Sequence, residues 1–161
     1  MTTGIELLLI FMGVAVGQFL LLFLHEFGHV IPVLATGGTA QITIGSPDGR
    51  TVQSGPIRFT IGFKTVQSLF IYGTVNWWGV ESDRIHAIAI LSGPLMSLTM
   101  ILISGGALLG GVDSPLYWIF VNLVFLETWR LYQTIVPKTY SRGPYEGMPS
   151  DGKRFLQLIR S

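Results

Sequence analysis

The chain has 161 residues, 49% of them hydrophobic and only 12% charged, against roughly 25% charged in a soluble globular domain; this composition argues against an ordinary soluble enzyme. Ten Lys and Arg against nine Asp and Glu leave a net charge of +1, too little basic surplus for binding nucleic acid, whose affinity scales with the phosphates neutralised. Cysteine is absent, which excludes disulfides, thiolate ligands and cysteine nucleophiles, and the length fits a single domain over residues 1–161.

Residues 4–35 form one apolar run whose ionisable members are Glu6, His25, Glu26 and His29. It exceeds the roughly 20 residues that cross about 30 Å of hydrocarbon as a helix. It also lacks a basic leader and is longer than the apolar core of a cleavable signal peptide, so it predicts a membrane helix. From about 40 to 78 the texture changes. QITIG (41–45), IRFTIGF (57–63) and SLFIYGTV (68–75) are rich in β-branched and aromatic residues and are punctuated by SPDG and SGP, the pattern of strands separated by turns. They predict a sheet of two to four strands at the membrane interface, with Trp77 and Trp78 as belt residues.

Two further apolar runs, 85–109 and 115–136, predict a second and a third membrane helix. The expected fold is therefore an α-helical membrane protein with a three-transmembrane-helix core and a small interfacial β-sheet between helices one and two. Residues 138–161 are rich in Gly, Pro and Ser until GKRFLQLI, which reads as a short amphipathic helix. Arg50, Arg58, Lys64 and Arg84 lie in the first loop, and Lys138, Arg142, Lys153, Arg154 and Arg160 in the C-terminal segment. The positive-inside rule makes that side cytoplasmic, giving a multi-pass protein with its N-terminus outside and its C-terminus in the cytoplasm.

The chemistry lies in HEFGH, His25 to His29. On a helix, side chains four apart lie on one face about 5–6 Å from each other, close enough for two imidazoles to bind one Zn²⁺. Glu26 lies about 60° around from His29, bordering the ligand face, where it can act as a general base. Gly28 permits close approach of a neighbouring helix or a substrate backbone. Ionisable groups in an apolar membrane segment cost ~2.5 kcal/mol or more each and are by default functional. Pro32, one turn after His29, is expected to bend or end the helix, and Gly37-Gly38 to turn the chain into the sheet.

A catalytic zinc needs a third protein ligand. The elongated metzincin pattern is excluded because position 35 is Ala35. His86, Glu127, Asp151, Asp48, Glu81, Asp83 and Glu146 remain. His25 lies about 31 Å along the helix from Gly4, near the cytoplasmic side, where the segment bearing Asp151 emerges. Glu127 is the rival ligand, with an intrahelical pair to Arg130 as its simpler role.

HEFGHVIPVLATGG (25–38), SGPLMSL (92–98) and PSDGKRFLQL (149–158) together resemble the zinc-helix, Gly-Pro and Asp-Gly motifs of the site-2 protease family of intramembrane zinc metalloproteases, in that family's order and across nearly the whole chain. The resemblance implies that His25, His29 and Asp151 bind one Zn²⁺ and that Glu26 is the catalytic base. The Ser-Asp-Gly version of the last motif occurs in bacterial members, which implies a prokaryotic cell membrane. The family's usual asparagines are replaced by Ser97 and Thr134; together with Asn122, these are the candidates for a substrate- or oxyanion-binding role. SRGPYEG is expected to form a flexible cover, and FIYGTV (70–75) an edge that holds an unwound substrate strand.

The function these features imply is hydrolysis of peptide bonds in transmembrane substrates near the cytoplasmic side. The alternative is a catalytically inactive zinc-binding membrane pseudoprotease serving as a binding or regulatory subunit. Expected partners are the lipid bilayer, a transmembrane protein substrate, and a regulatory membrane partner or a second copy of the chain.

Overall fold

The computed structural model describes residues 3–62 and 72–160. Helix α1 spans Gly4–Ala35. It opens on a capping box in which Thr3 Oγ1 accepts from the Glu6 amide (3.2 Å) and the Glu6 carboxylate accepts from the Thr3 amide (2.7 Å), satisfying two of the donors that a helix start leaves free. Pro32 is accommodated inside α1, which ends one residue before Thr36. There the Thr36 hydroxyl donates to the Val33 carbonyl (2.9 Å) and Gly37, at φ +80°, turns the chain.

Four strands follow: β1 (Thr39–Gly45), β2 (Arg50–Ser54), β3 (Ile57–Gly62) and β4 (Gly73–Trp78), in the spatial order β2-β3-β1-β4. β1 runs parallel to β3 and antiparallel to β4, and β2 is antiparallel to β3. SPDG and SGP are indeed turns, but between them lies a strand, β2, that the sequence pattern does not reveal. Its residues are all exposed, so it has no apolar alternation to read. Phe63, Lys64 and Ser68 to Ile71, part of the expected strands and first loop, lie outside the described residues.

The remaining elements are helices α2 (Asp83–Leu109), α3 (Leu116–Ile135) and α4 (Asp151–Leu158). The core forms where Ala40, Ile42 and Ile44, alternate residues of β1, meet Leu22, Val30 and Val33 of α1, with Val75 and Ala89 completing it. Period-2 alternation on the strand thus faces the inward stripe of the helix.

The expected three-transmembrane-helix core with a small interfacial sheet is not what forms. Among the described residues there are four helices and a four-stranded mixed sheet, and two helices, α1 and α2, are long and apolar enough to cross a membrane. α3 forms close to the expected place, but Asn122, Glu127, Thr128, Arg130 and Gln133 interrupt its apolar character. The sheet belongs to the core: β1 packs on α1.

Large apolar side chains on α1 and α2 point outward, among them Ile5, Phe11, Val16, Leu95 and Leu102. The helices meet instead through glycines. An added Cβ at Gly17 would lie 2.7 Å from Leu123 Cδ1 of α3, and one at Gly28 would lie 2.7 Å from the Ser92 carbonyl oxygen and 3.2 Å from Gly93 Cα of α2.

Candidate metal centre

Helical spacing stacks His25 and His29 with ring centroids 5.0 Å apart, both nearly inaccessible. Each ring is steered by its Nδ1. That of His29 lies 2.7 Å from the Ala89 carbonyl oxygen and that of His25 lies 2.8 Å from Ser97 Oγ, both partners on α2. A carbonyl can only accept, so His29 Nδ1 carries the proton and its Nε2 presents a lone pair. Gly93 makes room for this: a Cβ there would fall on the His29 ring.

The Nε2 atoms face Asp151, the first residue of α4. Ser150 caps that helix by accepting from the Lys153 amide, and its hydroxyl donates to the Val136 carbonyl (2.7 Å) at the end of α3. Gly152 packs so tightly on the Ile135 carbonyl that a Cβ would collide with it. These contacts bring a residue more than 120 positions away onto the two histidines.

Asp151 Oδ2 is 3.5 Å from His25 Nε2 and 3.6 Å from His29 Nε2. Both separations are too long for ordinary N–H···O bonds. They approach the spacing of about 3.3–3.4 Å between ligand atoms on a tetrahedral ion with bonds of 2.0–2.1 Å. The donor atoms of all three residues lie within 4.8 Å of one another, forming a buried group able to hold a metal ion. Burial works to protonate Asp151, but the facing imidazoles, in the metal-free centre where a proton on Nε2 stands in the metal's place, outweigh it and hold the carboxyl well below the usual carboxylate range.

The group opens onto a cavity of about 650 Å³ that Glu26, Thr134 and Arg154 also line. Glu26 is 6% exposed, and an added Cβ at Gly73 would lie 2.7 Å from its Oε1, so its carboxylate is packed against the start of β4. Among the described residues the outer side of β4 has no strand neighbour, and Gly73 to Asn76 border the cavity. The Gly45 amide donates to the Tyr72 carbonyl (2.8 Å). Backbone groups alternate sides along an antiparallel strand, so those of Thr74 and Asn76 pair with β1 while those of Gly73 and Val75 face outward.

The segment after α3 folds over this edge, closed by a bridge between Thr139 and Pro149. Tyr145 stacks on Tyr72 and Tyr140 at 5.1 and 5.4 Å. Burial first, then the carboxylates of Asp151 and Glu26, push the Tyr140 phenol up to about 12. Burial and Glu26 raise Tyr145 as well. Both remain hydroxyl donors at neutral pH.

The other sequence candidates separate clearly. Asn122 is exposed and donates to the Trp118 carbonyl of its own helix (2.8 Å), and it does not line the cavity. Ser97 holds His25, and Thr134 lines the cavity while donating to the Leu131 carbonyl (3.1 Å). Glu127 pairs with Arg130 at 2.7 Å, and Asp48, Glu81, Asp83 and Glu146 are exposed. His86 accepts from Trp77 Nε1 (2.9 Å), and Trp77 stacks on His29 at 6.5 Å while Arg154 lies 5.0 Å from its ring centre. Trp77 is thus a wall of the centre. Its aromatic character was legible in the sequence, but only the register of β4 on β1 shows which side it faces.

Comparison with family models, with curated proteins and with solved structures finds no match; what the centre does must be read from its own geometry.

Proposed function

We propose that the chain is an intramembrane zinc metalloprotease of the site-2 protease type, hydrolysing peptide bonds of transmembrane substrates near the cytoplasmic side of the membrane. The observation that carries this reading is the convergence of His25, His29 and Asp151, with Glu26 beside them on one cavity. Two nitrogen donors and one carboxylate suit zinc and leave a coordination position open. The outward apolar surfaces of α1 and α2 fit contact with lipid better than with water, and the basic residues flanking the site favour a cytoplasmic orientation.

Bound zinc would polarise a carbonyl and lower the pKa of a coordinated water. His25 and His29 supply Nε2 lone pairs, and Asp151 supplies the negative charge. Glu26 takes one proton from the attacking water at its carboxylate and delivers it to the amide nitrogen as the C–N bond breaks; the water's OH goes to the carbonyl carbon. Val75 offers outward backbone groups to an unwound substrate segment, the strand-addition mode of peptide recognition, and those of Gly73 become available once the Tyr145 hydroxyl lets go of them.

The test compares purified wild type with Glu26→Gln. Zinc should be bound by both, and cleavage of single-pass membrane substrates by the wild type alone. Stoichiometric zinc without Glu26-dependent cleavage across a broad substrate panel would overturn the protease reading in favour of a zinc-binding regulatory subunit.

A further inference from the structure

We propose that the groove beyond Trp77 extends the substrate site and selects an acidic side chain within about three residues of the cleaved bond, about 10 Å of extended chain, and that Arg154 is the residue that reads it. This rests on the protease reading above and adds a chemical class of substrate to it.

A second cavity, of about 570 Å³, adjoins the one at the metal centre, and Val75, Asn76 and Arg154 border both. The outer edge of β4 runs from one into the other. Backbone groups alternate sides along the strand, so Trp77, two residues past Val75, also turns its amide and carbonyl outward. A segment added to this edge pairs at Val75 beside the metal centre and at Trp77 in the groove, about 7 Å farther on. Helix α4 supplies the facing wall through Arg154 and Gln157.

Trp77 is held still. Its Nε1 donates to His86 Nδ1 (2.9 Å), and His86 Nε2 lies 3.0 Å from the Val80 carbonyl oxygen. A ring nitrogen that accepts leaves the other to carry the proton, so Nε2 donates to Val80 and the relay runs in one direction. The indole fixed in this way has the Arg154 guanidinium 5.0 Å from its ring centre, a cation over an aromatic face.

Arg154 keeps its donors for a visitor. Asp151 Oδ1 is 3.9 Å from its Nη1, beyond hydrogen-bond range, and among the described residues its side chain makes no hydrogen bond. That side chain is 36% exposed, and a guanidinium presents five N–H groups in a planar fork that matches a carboxylate. Among the described residues no Asp or Glu lines the groove, whereas Glu26 and Asp151 both line the cavity at the metal centre. The groove is therefore the part of the site that favours an acidic side chain. A role confined to screening Asp151 would leave Arg154 indifferent to the charge of the substrate.

The test uses the full chain in detergent or lipid, loaded with zinc, as wild type, Arg154→Gln and Arg154→Glu. Single-pass membrane substrates carry Glu, Gln or Lys at each position flanking the cleaved bond. At one position the wild type should cleave the Glu substrate with a KM roughly 10-fold below that of the Gln substrate. Arg154→Gln should lose the difference, and Arg154→Glu should favour Lys. Binding of the same substrates to chains that also carry Glu26→Gln, read by fluorescence polarisation, should follow the same order. Binding or cleavage indifferent to charge, no binding, or a preference for Glu that persists in Arg154→Gln would overturn the proposal. If no substrate is cleaved while the charge order in binding remains, the protease reading falls and the groove stands; cleavage indifferent to charge gives the reverse.

Discussion

Tyr145 grips both backbone groups of Gly73: its hydroxyl accepts from the Gly73 amide at 2.7 Å and donates to the Gly73 carbonyl at 2.8 Å. These are the donor and acceptor that an added strand would need at the start of the free edge of β4. Replacing Tyr145 by Phe keeps the ring stacking and removes both bonds, each worth about 0.5–1.5 kcal/mol. We expect faster amide exchange at Gly73 and KM for substrate lowered by about 2- to 10-fold. Unchanged exchange with raised KM would show that the clip supports binding.

The same clip should respond to alkali. Phenols whose folded-state pKa is raised give stability that is complete below the free-chain value of about 10 and lost as pH rises through the shifted values. Spectrophotometric titration should show Tyr140 and Tyr145 ionising late. Tyr140→Phe should remove amplitude near pH 12, where burial has placed that phenol.

Proline scanning of β4 separates edge recognition from sheet stability. At Val75 proline removes an outward donor, whereas at Thr74 it removes a bond to β1. Val75→Pro should reduce cleavage with zinc still bound, and Thr74→Pro should lower thermal stability as well. Equal turnover by Val75→Pro and wild type would count against strand addition.

Helix contact at the centre leaves no room for a methyl group. Gly93→Ala places a carbon on the His29 ring, so the imidazole must move or α1 and α2 must separate. Overpacking of this kind costs about 1–3 kcal/mol. The expected result is a lowered Tm together with zinc affinity reduced beyond what the stability loss explains, checked by calorimetry and chelator competition.

Removing a donor should cost more than removing its support. Asp151→Asn keeps the shape but loses the anionic charge, so zinc should bind more weakly by over the ~10- to 100-fold expected for an outer partner. Chelation of the wild type should abolish cleavage, and added zinc should restore it. Tight zinc binding by Asp151→Asn would remove Asp151 from the ligand set.

The local elements were largely present in the sequence. A sustained apolar run, an i, i+4 histidine pair and a Ser-Asp-Gly helix start act within a few residues, so α1, α2 and α4 and the stacking of His25 on His29 could be anticipated. β2 escaped because an all-exposed strand carries no alternation. The third membrane span failed because length outweighed the polar residues of α3, two of which turn inward: Arg130 donates to Glu127 of its own helix and to Gln18 of α1.

What the sequence determined by itself is the pair of apolar helices and the chemistry of the HEFGH turn, since both depend on near neighbours. What only the tertiary structure decided is which distant groups complete that turn: Asp151 rather than Glu127 at the histidines, Ser97 and Ala89 behind them, Tyr145 on the strand edge. These choices depend on glycine-sized approaches between helices and on the register of β4 against β1, which arise when the elements pack together and leave no periodic trace along the chain.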